Sequence, residues 1–290
     1  MNAVALHPHN AAMSIMANYS LEITAKDAGE LPRAAQLVEP DTRVSITFLP
    51  RESYDKRLAA VEEVVRLALR PVPHVSARRI GSEGELDDYL TALAAMGACE
   101  ELFIVAGDPD TPDGPYDDAL AIIESGLLER HGVLRVGIGG YPEGHPKIDD
   151  DKLRQALHAK CAALTRRGIG VEIVTQFGFN PEPVIGWLAD LRRSGIDAPV
   201  RLGVPGPASA ATLMRFAARC GVAASGAVLA RYGLSLAKLV QSTGPDKYIS
   251  ELVAGLDPAV HGEVGLHFYP FGGLAATAQW IERFGRLAGH

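Results

Sequence analysis

Glu22 stands in the middle of the short β-prone segment Tyr19–Thr24, YSLEIT, where a carboxylate is costly unless it is paired or protonated. A side chain so placed can act as a general acid, and the alternative is a paired structural carboxylate or an outward-facing edge position. Asp108 follows Gly107, whose missing Cβ lets the backbone approach a ligand; its alternative is a cap or turn role in a loop rich in Asp and Pro. Gln176, between a strand-like segment and Phe177, can offer both a donor and an acceptor to a heterocycle edge. His74 and His145 have no second His or Cys at ligand spacing, so no metal site is expected. The three cysteines, Cys99, Cys161 and Cys220, are widely spaced and suggest no disulfide framework.

These residues cluster in and just after strand-like runs. Such runs occupy Tyr19–Thr24, Arg43–Leu49, Pro73–Arg78, Leu102–Ala106, Leu134–Ile138, Val171–Phe177, Val200–Val204 and Val264–Tyr269. Between them, apolar residues at helical spacing predict helices over Tyr54–Leu69, Tyr116–Leu128, Asp150–Arg166, Pro183–Arg193 and Ala210–Cys220, with a last one over Ala275–Leu287. Another starts near Ser82, with Glu85 as a capping-box signal. Ala223–Leu256 reads as extra helices before the last strand, broken at Gly244–Pro245.

Continuous apolar strands are buried on both faces, which indicates a parallel sheet. Eight strand–helix units and no G-x-G-x-x-G after the first strand favour a closed (β/α)8 TIM barrel of the α/β class over an open sheet. No linker divides the pattern, so residues 1–290 form one domain, with 1–17 as a flexible N-terminal segment. In such a barrel the chemistry lies at the carboxyl ends of the strands.

With 35 acidic against 28 basic residues the formal net charge is −7, which gives no support to a nucleic-acid or anionic-membrane partner. No basic segment leading into an apolar run marks a secretory signal, and no stretch of ~18 uncharged apolar residues marks a membrane helix. With the unpaired cysteines, this points to a reducing cytoplasm.

At the strand ends the chain resembles the methylenetetrahydrofolate reductase family of flavin-dependent barrels. Ser20-Leu21-Glu22 is similar to the family's acidic first strand, Val44-Ser45-Ile46-Thr47 to its V-S-V-T and Pro73-His74-Val75-Ser76 to its P-H-L-T. Ala106-Gly107-Asp108 corresponds to R-G-D, Tyr141-Pro142-Glu143-Gly144-His145-Pro146 to Y-P-E-x-H-P and Val174-Thr175-Gln176-Phe177 to I-T-Q-F. Pro205-Gly206 and His267-Phe268-Tyr269 match its P-G and H-F-Y.

The resemblance implies bound FAD and hydride transfer between flavin and the 5,10-methylenetetrahydrofolate/5-methyltetrahydrofolate couple. It assigns Glu22 as proton donor, Asp108 to stabilising the cationic intermediate, and Gln176, Phe216 and Tyr269 to the folate. Thr47, His74, Ala106, Gly107, Asp108, Tyr141, His145 and Lys160 match positions that hold FAD. Self-association is expected from the family's habit and the apolar helix surfaces.

The departures lie around the flavin. The Arg of R-G-D is Ala106, Gly178 breaks the aromatic run after Gln176, Asn180 stands where Asp is common, and the segment after Pro205-Gly206 is short. They leave the electron partner, NAD(P)H or another, unassigned and make methyl oxidation a variant of the main reading. The competing reading is a folate-binding accessory barrel without redox turnover.

Overall fold

The computed structural model describes residues 15–50, 52–222 and 242–288. Eight strands close into a parallel barrel. They are β1 Ser20–Ile23, β2 Arg43–Ile46, β3 Arg70–Ser76, β4 Glu101–Val105, β5 Arg135–Gly140, β6 Gly170–Phe177, β7 Val200–Pro205 and β8 Val264–Tyr269. Each pairs with its neighbours in sequence, and the ring shuts where β1 meets β8, Ser20 opposite His267 and Leu21 opposite Phe268. A two-residue antiparallel ladder, Ala208–Ser209 with Ser242–Thr243, lies outside the ring.

Alternation along each strand divides the side chains between two surroundings. Leu21, Val44, Val75, Ile104, Ile138, Leu202 and Phe268 are wholly buried in the core shared with the helices. The alternate positions face the barrel axis and carry the polar groups. Toward the amino-terminal ends these form an ion-pair floor: Arg43 Nε lies 2.8 Å from Glu101, and Arg201 Nε 2.9 Å from Glu172. Arg70 and Arg135 join Glu101 at 3.3 and 3.6 Å. Every charge in that floor has a partner, which is what allows charges inside a barrel at all.

Several expected elements shift. The helix expected over Tyr116–Leu128 is two pieces, Ala119–Glu124 and Leu127–Arg130, because Gly126 turns left-handed at φ 81°. Strand β3 begins at Arg70, before Pro73. Ser82 caps its helix by accepting from Glu85 N at 3.1 Å, while the Glu85 carboxylate accepts from Gly81 N at 2.7 Å, one residue before the cap. The helices Asp150–Arg166 and Ala210–Cys220 lie where expected. Of the extra helices expected over Ala223–Leu256, Asp246–Gly255 is present, while the part over 223–241 falls outside the described residues. Within the segment expected to be flexible, Ile15 and Met16 are buried against the core, and residues 1–14 fall outside the description.

Candidate active site

Glu22 points inward from β1 near the carboxyl end of the barrel. Its Oε2 lies 3.7 Å from His267 Nε2 of β8 and 4.0 Å from His74 Nε2 of β3. Ser20, one inward position below, meets His267 Nδ1 at 2.8 Å. A hydroxyl donating there leaves Nε2 to carry its hydrogen toward Glu22. Burial pushes His74 down to about 4, against the pull of the Glu22 charge, so at neutral pH it brings no positive charge to Glu22.

Aromatic rings wall the space above. Tyr269 stands edge-on to His267 with centroids 4.8 Å apart, and its hydroxyl donates to the Thr175 carbonyl at 3.0 Å. Burial raises its pKa well above the usual phenol range, so it stays a neutral donor. Phe271 follows, 5.7 Å from Tyr269 at 21°, and Phe216 stacks on Phe271 at 4.1 Å and 14°. Phe216 comes from the helix Ala210–Cys220, whose cap Ser209 accepts from Thr212 N at 3.2 Å. Gln176 lines a cavity with Tyr141, Glu143, Phe177 and Cys220, its Oε1 accepting from Phe177 N at 3.1 Å.

The opposite rim holds the other expected residues. Thr47 extends the β1–β2 ladder by donating its N–H to the Ile23 carbonyl at 2.9 Å, and its Oγ1 is buried without a hydrogen-bond partner. Ala106 accepts from Arg78 N at 2.8 Å, tying the end of β4 to the turn after β3. Gly107 has φ 94°, and a Cβ there would collide with Ser76 Oγ. Asp108 is 84% exposed with Arg79 Nη2 at 3.7 Å. Tyr141 meets His145 edge-on at 5.3 Å, and its hydroxyl is raised by burial and by the Asp108 charge. Burial and the Lys147 charge lower His145.

Electrostatic reach follows the same convergence. Glu22 and Tyr141 both act on Tyr269, and Glu22 and Asp108 both act on Cys220 at the end of its helix. Lys160 lies apart from them, burial lowering its amine while Asp118 and Cys161 oppose the shift. Among the described residues no group of three or more His, Cys, Asp or Glu side chains could hold a metal ion, and no helix is long and apolar enough to cross a membrane.

A family model described as methylenetetrahydrofolate reductase matches residues 18–285, nearly the whole barrel. The chain belongs to the methylenetetrahydrofolate reductase family. It is similar to Methylenetetrahydrofolate reductase 2 of Saccharomyces cerevisiae, 27% identical over 133 residues. That match covers 41% of this chain and 20% of the yeast protein, so it spans a fifth of that relative's length.

Among solved structures, the fold of this reductase-family chain is similar to that of a Clostridium thermocellum protein described as binding two copies of 5-methyl-5,6,7,8-tetrahydrofolic acid. The TM-score is 0.60 at 13% identity, covering 93% of this chain and 95% of that one. Dihydropteroate synthase from Thermus thermophilus gives a TM-score of 0.50 at 15% identity, covering 93% and 94%. At these identities the likeness is one of fold.

Four residues facing this region had no assigned role on sequence grounds: His267, Phe271, Arg79 and Glu143. The alternation of His267-Phe268-Tyr269 signals that His267 and Tyr269 share the inner face. The tandem Arg78-Arg79 just past β3 is the signal for a cation at the rim.

Proposed function

We propose that this chain is a flavoenzyme of the methylenetetrahydrofolate/methyltetrahydrofolate couple, with Glu22 as its proton-transfer group. The observation that carries the reading is Glu22 itself, an inward carboxyl between two imidazoles, with Tyr269 edge-on to one of them and stacked in turn with Phe271 and Phe216. Flat, partly aromatic ligands suit such walls, where stacked rings contribute beyond buried area. The Clostridium thermocellum protein of similar fold, which binds 5-methyltetrahydrofolate, supports the same ligand class.

FAD fits the opposite rim. The buried Thr47 hydroxyl without a partner is an unsatisfied group of the kind a ligand atom completes. Gly107 presents backbone free of a Cβ, and His74 offers a neutral imidazole. With Ala106 replacing a guanidinium, Arg79 beside Asp108 is a cation at this rim for its phosphates. Bound there, FAD supplies the hydride donor or acceptor.

The protein's own part is proton transfer and orientation. Glu22 gives a proton to the amine that leaves as the methylene bridge opens, and the folate becomes an N5-iminium cation. Asp108 contributes negative charge to the same region, which favours that cation. Gln176 and the Phe216–Phe271–Tyr269 wall hold the pterin so that its one-carbon unit faces the cofactor side. A hydride added to the iminium carbon gives 5-methyltetrahydrofolate, and the reverse sequence returns the proton to Glu22.

The departures around Ala106, Gly178 and Asn180 motivate a variant of this reading in which the enzyme runs toward methyl oxidation, with its electron partner open. The Ala106 substitution is what favours the second reading, a folate-binding accessory barrel without turnover. A visible spectrum of the purified protein separates them: a near-stoichiometric flavin band bleached anaerobically by 5-methyltetrahydrofolate supports the enzyme and eliminates the accessory. Equal competence with NADH in the reducing direction would overturn the oxidative variant.

A further inference from the structure

Arg57 lies in the helix Tyr54–Arg66 that follows β2, outside the site just described, yet only 6% of it is exposed. Its partners among the described residues are a carbonyl, a phenol and two aromatic rings rather than a carboxylate. The guanidinium carbon lies 3.6 Å from the centre of the Phe48 ring, and Nη1 donates to the Glu52 carbonyl at 2.9 Å. Burial holds the Tyr89 phenol above its usual range, against the charge and the hydrogen bond of Arg57. A buried cation without a counter-ion is a poor device for stability, since its desolvation is repaid only in part. What a guanidinium adds is a planar fork that holds several groups at fixed angles.

The groups it holds belong to three successive strand ends. Phe48 directly follows Thr47, just past β2. Glu52, whose carbonyl takes the Arg57 hydrogen, accepts from Ala25 N through its carboxylate at 3.2 Å, and Ala25 lies three residues past Glu22. Tyr89 donates its hydroxyl to the carbonyl of His74 itself, at 3.5 Å. The strands are laddered to one another as well, with Glu22 opposite Ser45 and Ile46 opposite Pro73. One guanidinium therefore reaches, directly or through one residue, the ends of the strands that carry Glu22, Thr47 and His74.

We propose that Arg57 is a positioning residue, tying the ends of β1, β2 and β3 together and so setting Glu22 and His74 relative to each other. It acts through those strand ends and not by contact with a ligand. The proposal rests on the proton-transfer role given to Glu22 above.

Two variants and two readouts test it. Arg57→Lys keeps the charge but not the fork, and Tyr89→Phe removes only the hydroxyl that leads to His74. In the flavin-loaded protein, Arg57→Lys should lower kcat by on the order of 10-fold and shift its pH profile, with KM for the folate changed by less than about 2-fold. In the resting protein, the imidazole NMR resonances of His74 and His267 should move. Those of His158, on the exposed face of its helix, and of His261, bonded to Asp257 N at 2.8 Å, should stay fixed. Tyr89→Phe should move the same readouts by less, and the double variant should be less impaired than the two effects multiplied. Arg57→Lys protein that loses stability but keeps its kcat and pH profile has lost a structural residue only, which overturns the proposal. Movement of all four imidazoles together, the sign of general loosening, overturns it too, as do fully multiplicative losses. If Arg57→Lys does not fold, unchanged His74 and His267 resonances in Tyr89→Phe overturn it. Wild-type protein with neither flavin nor folate turnover overturns the folate reading instead, and the imidazole measurement still decides whether Arg57 sets the neighbours of Glu22.

Discussion

Glu22 and His267 face each other 3.7 Å apart across the seam where the first strand closes onto the last. The pairing that completes the barrel therefore also brings this carboxyl, the proposed proton-transfer group, to its imidazole neighbour. Ser20 fixes the imidazole from below, so its orientation depends on the register of β1 with β8.

Replacing Glu22 by Gln keeps shape and hydrogen-bonding capacity but removes the transferable proton. Folate turnover should fall by at least ~100-fold while the flavin stays bound and reducible by dithionite. His267→Ala should lower turnover less and shift its pH profile, because it alters only the setting of the carboxyl. Steady-state rates with a flavin spectrum for each variant check this. Unchanged turnover in Glu22→Gln would place the acid elsewhere.

His74 gives a pH dependence of defined sign. Burial holds it at about 4 in the folded protein against an ordinary value of 6.5. Between those values the unfolded chain binds more protons than the folded one, so stability is complete above the upper value and is lost as pH falls toward the lower. By pH 5 the loss from this one group should reach about 2 kcal/mol. Urea denaturation of wild type and His74→Asn at neutral pH and pH 5 isolates it, since other titrating groups are common to both proteins. Equal acid sensitivity in the two would mean that the imidazole is charged when folded.

The same residues show what a linear reading can reach. In Leu102–Val105, Leu102 and Ile104 are wholly buried and Phe103 and Val105 half-buried, so neither face meets open solvent and the continuous apolar run signals the parallel sheet. The start of β3 is concealed because Pro71 and Pro73 have no N–H for a ladder, although Val44 stands opposite Pro71 and Ile46 opposite Pro73. The break at Gly126 is hidden for another reason: helical spacing of apolar residues continues across it. In the site, Glu22 was legible because a carboxylate contradicts its apolar neighbours. Its partner His267 was not assigned, because only closure of the ring brings the two together. Arg79, Glu143 and Phe271 depend on loops whose paths no periodicity encodes.

Gly107→Ala tests the cofactor rim. The backbone there is left-handed at φ 94°, and the added methyl would strike Ser76 Oγ. The substitution should cost about 1–3 kcal/mol in folding stability and weaken FAD binding more than folate binding. Adding Ser76→Gly relieves the clash but not the dihedral, so it should restore only part of the loss. Denaturation midpoints and FAD titrations provide the comparison, and full recovery in the double variant would show that the clash alone matters.

The ion-pair floor makes an independent prediction, because it lies at the end of the barrel away from Glu22. Glu101 meets Arg43, Arg70 and Arg135, so Glu101→Ala takes the nearest carboxylate from the buried Arg43 guanidinium and loosens the other two. A loss of about 3 kcal/mol in stability should follow, with folate and flavin affinities unchanged in the folded protein. A variant of normal stability, measured by urea denaturation, would show that water reaches the floor.

The aromatic wall predicts coupling rather than a single loss. Phe271 is sandwiched between Phe216 at 4.1 Å and Tyr269 at 5.7 Å, with Phe177 edge-on at 4.8 Å. Removing Phe271 therefore frees Phe216 as well as deleting one ring. Phe271→Ala should raise KM for the folate by roughly 10-fold with little change in flavin affinity, and Phe216→Ala should do the same. The double variant should be less impaired than the two effects multiplied, by about 1 kcal/mol of coupling, because each ring positions the other. Fully multiplicative losses would show that the two phenyl rings contact the folate independently and that their stacking contributes nothing to holding it.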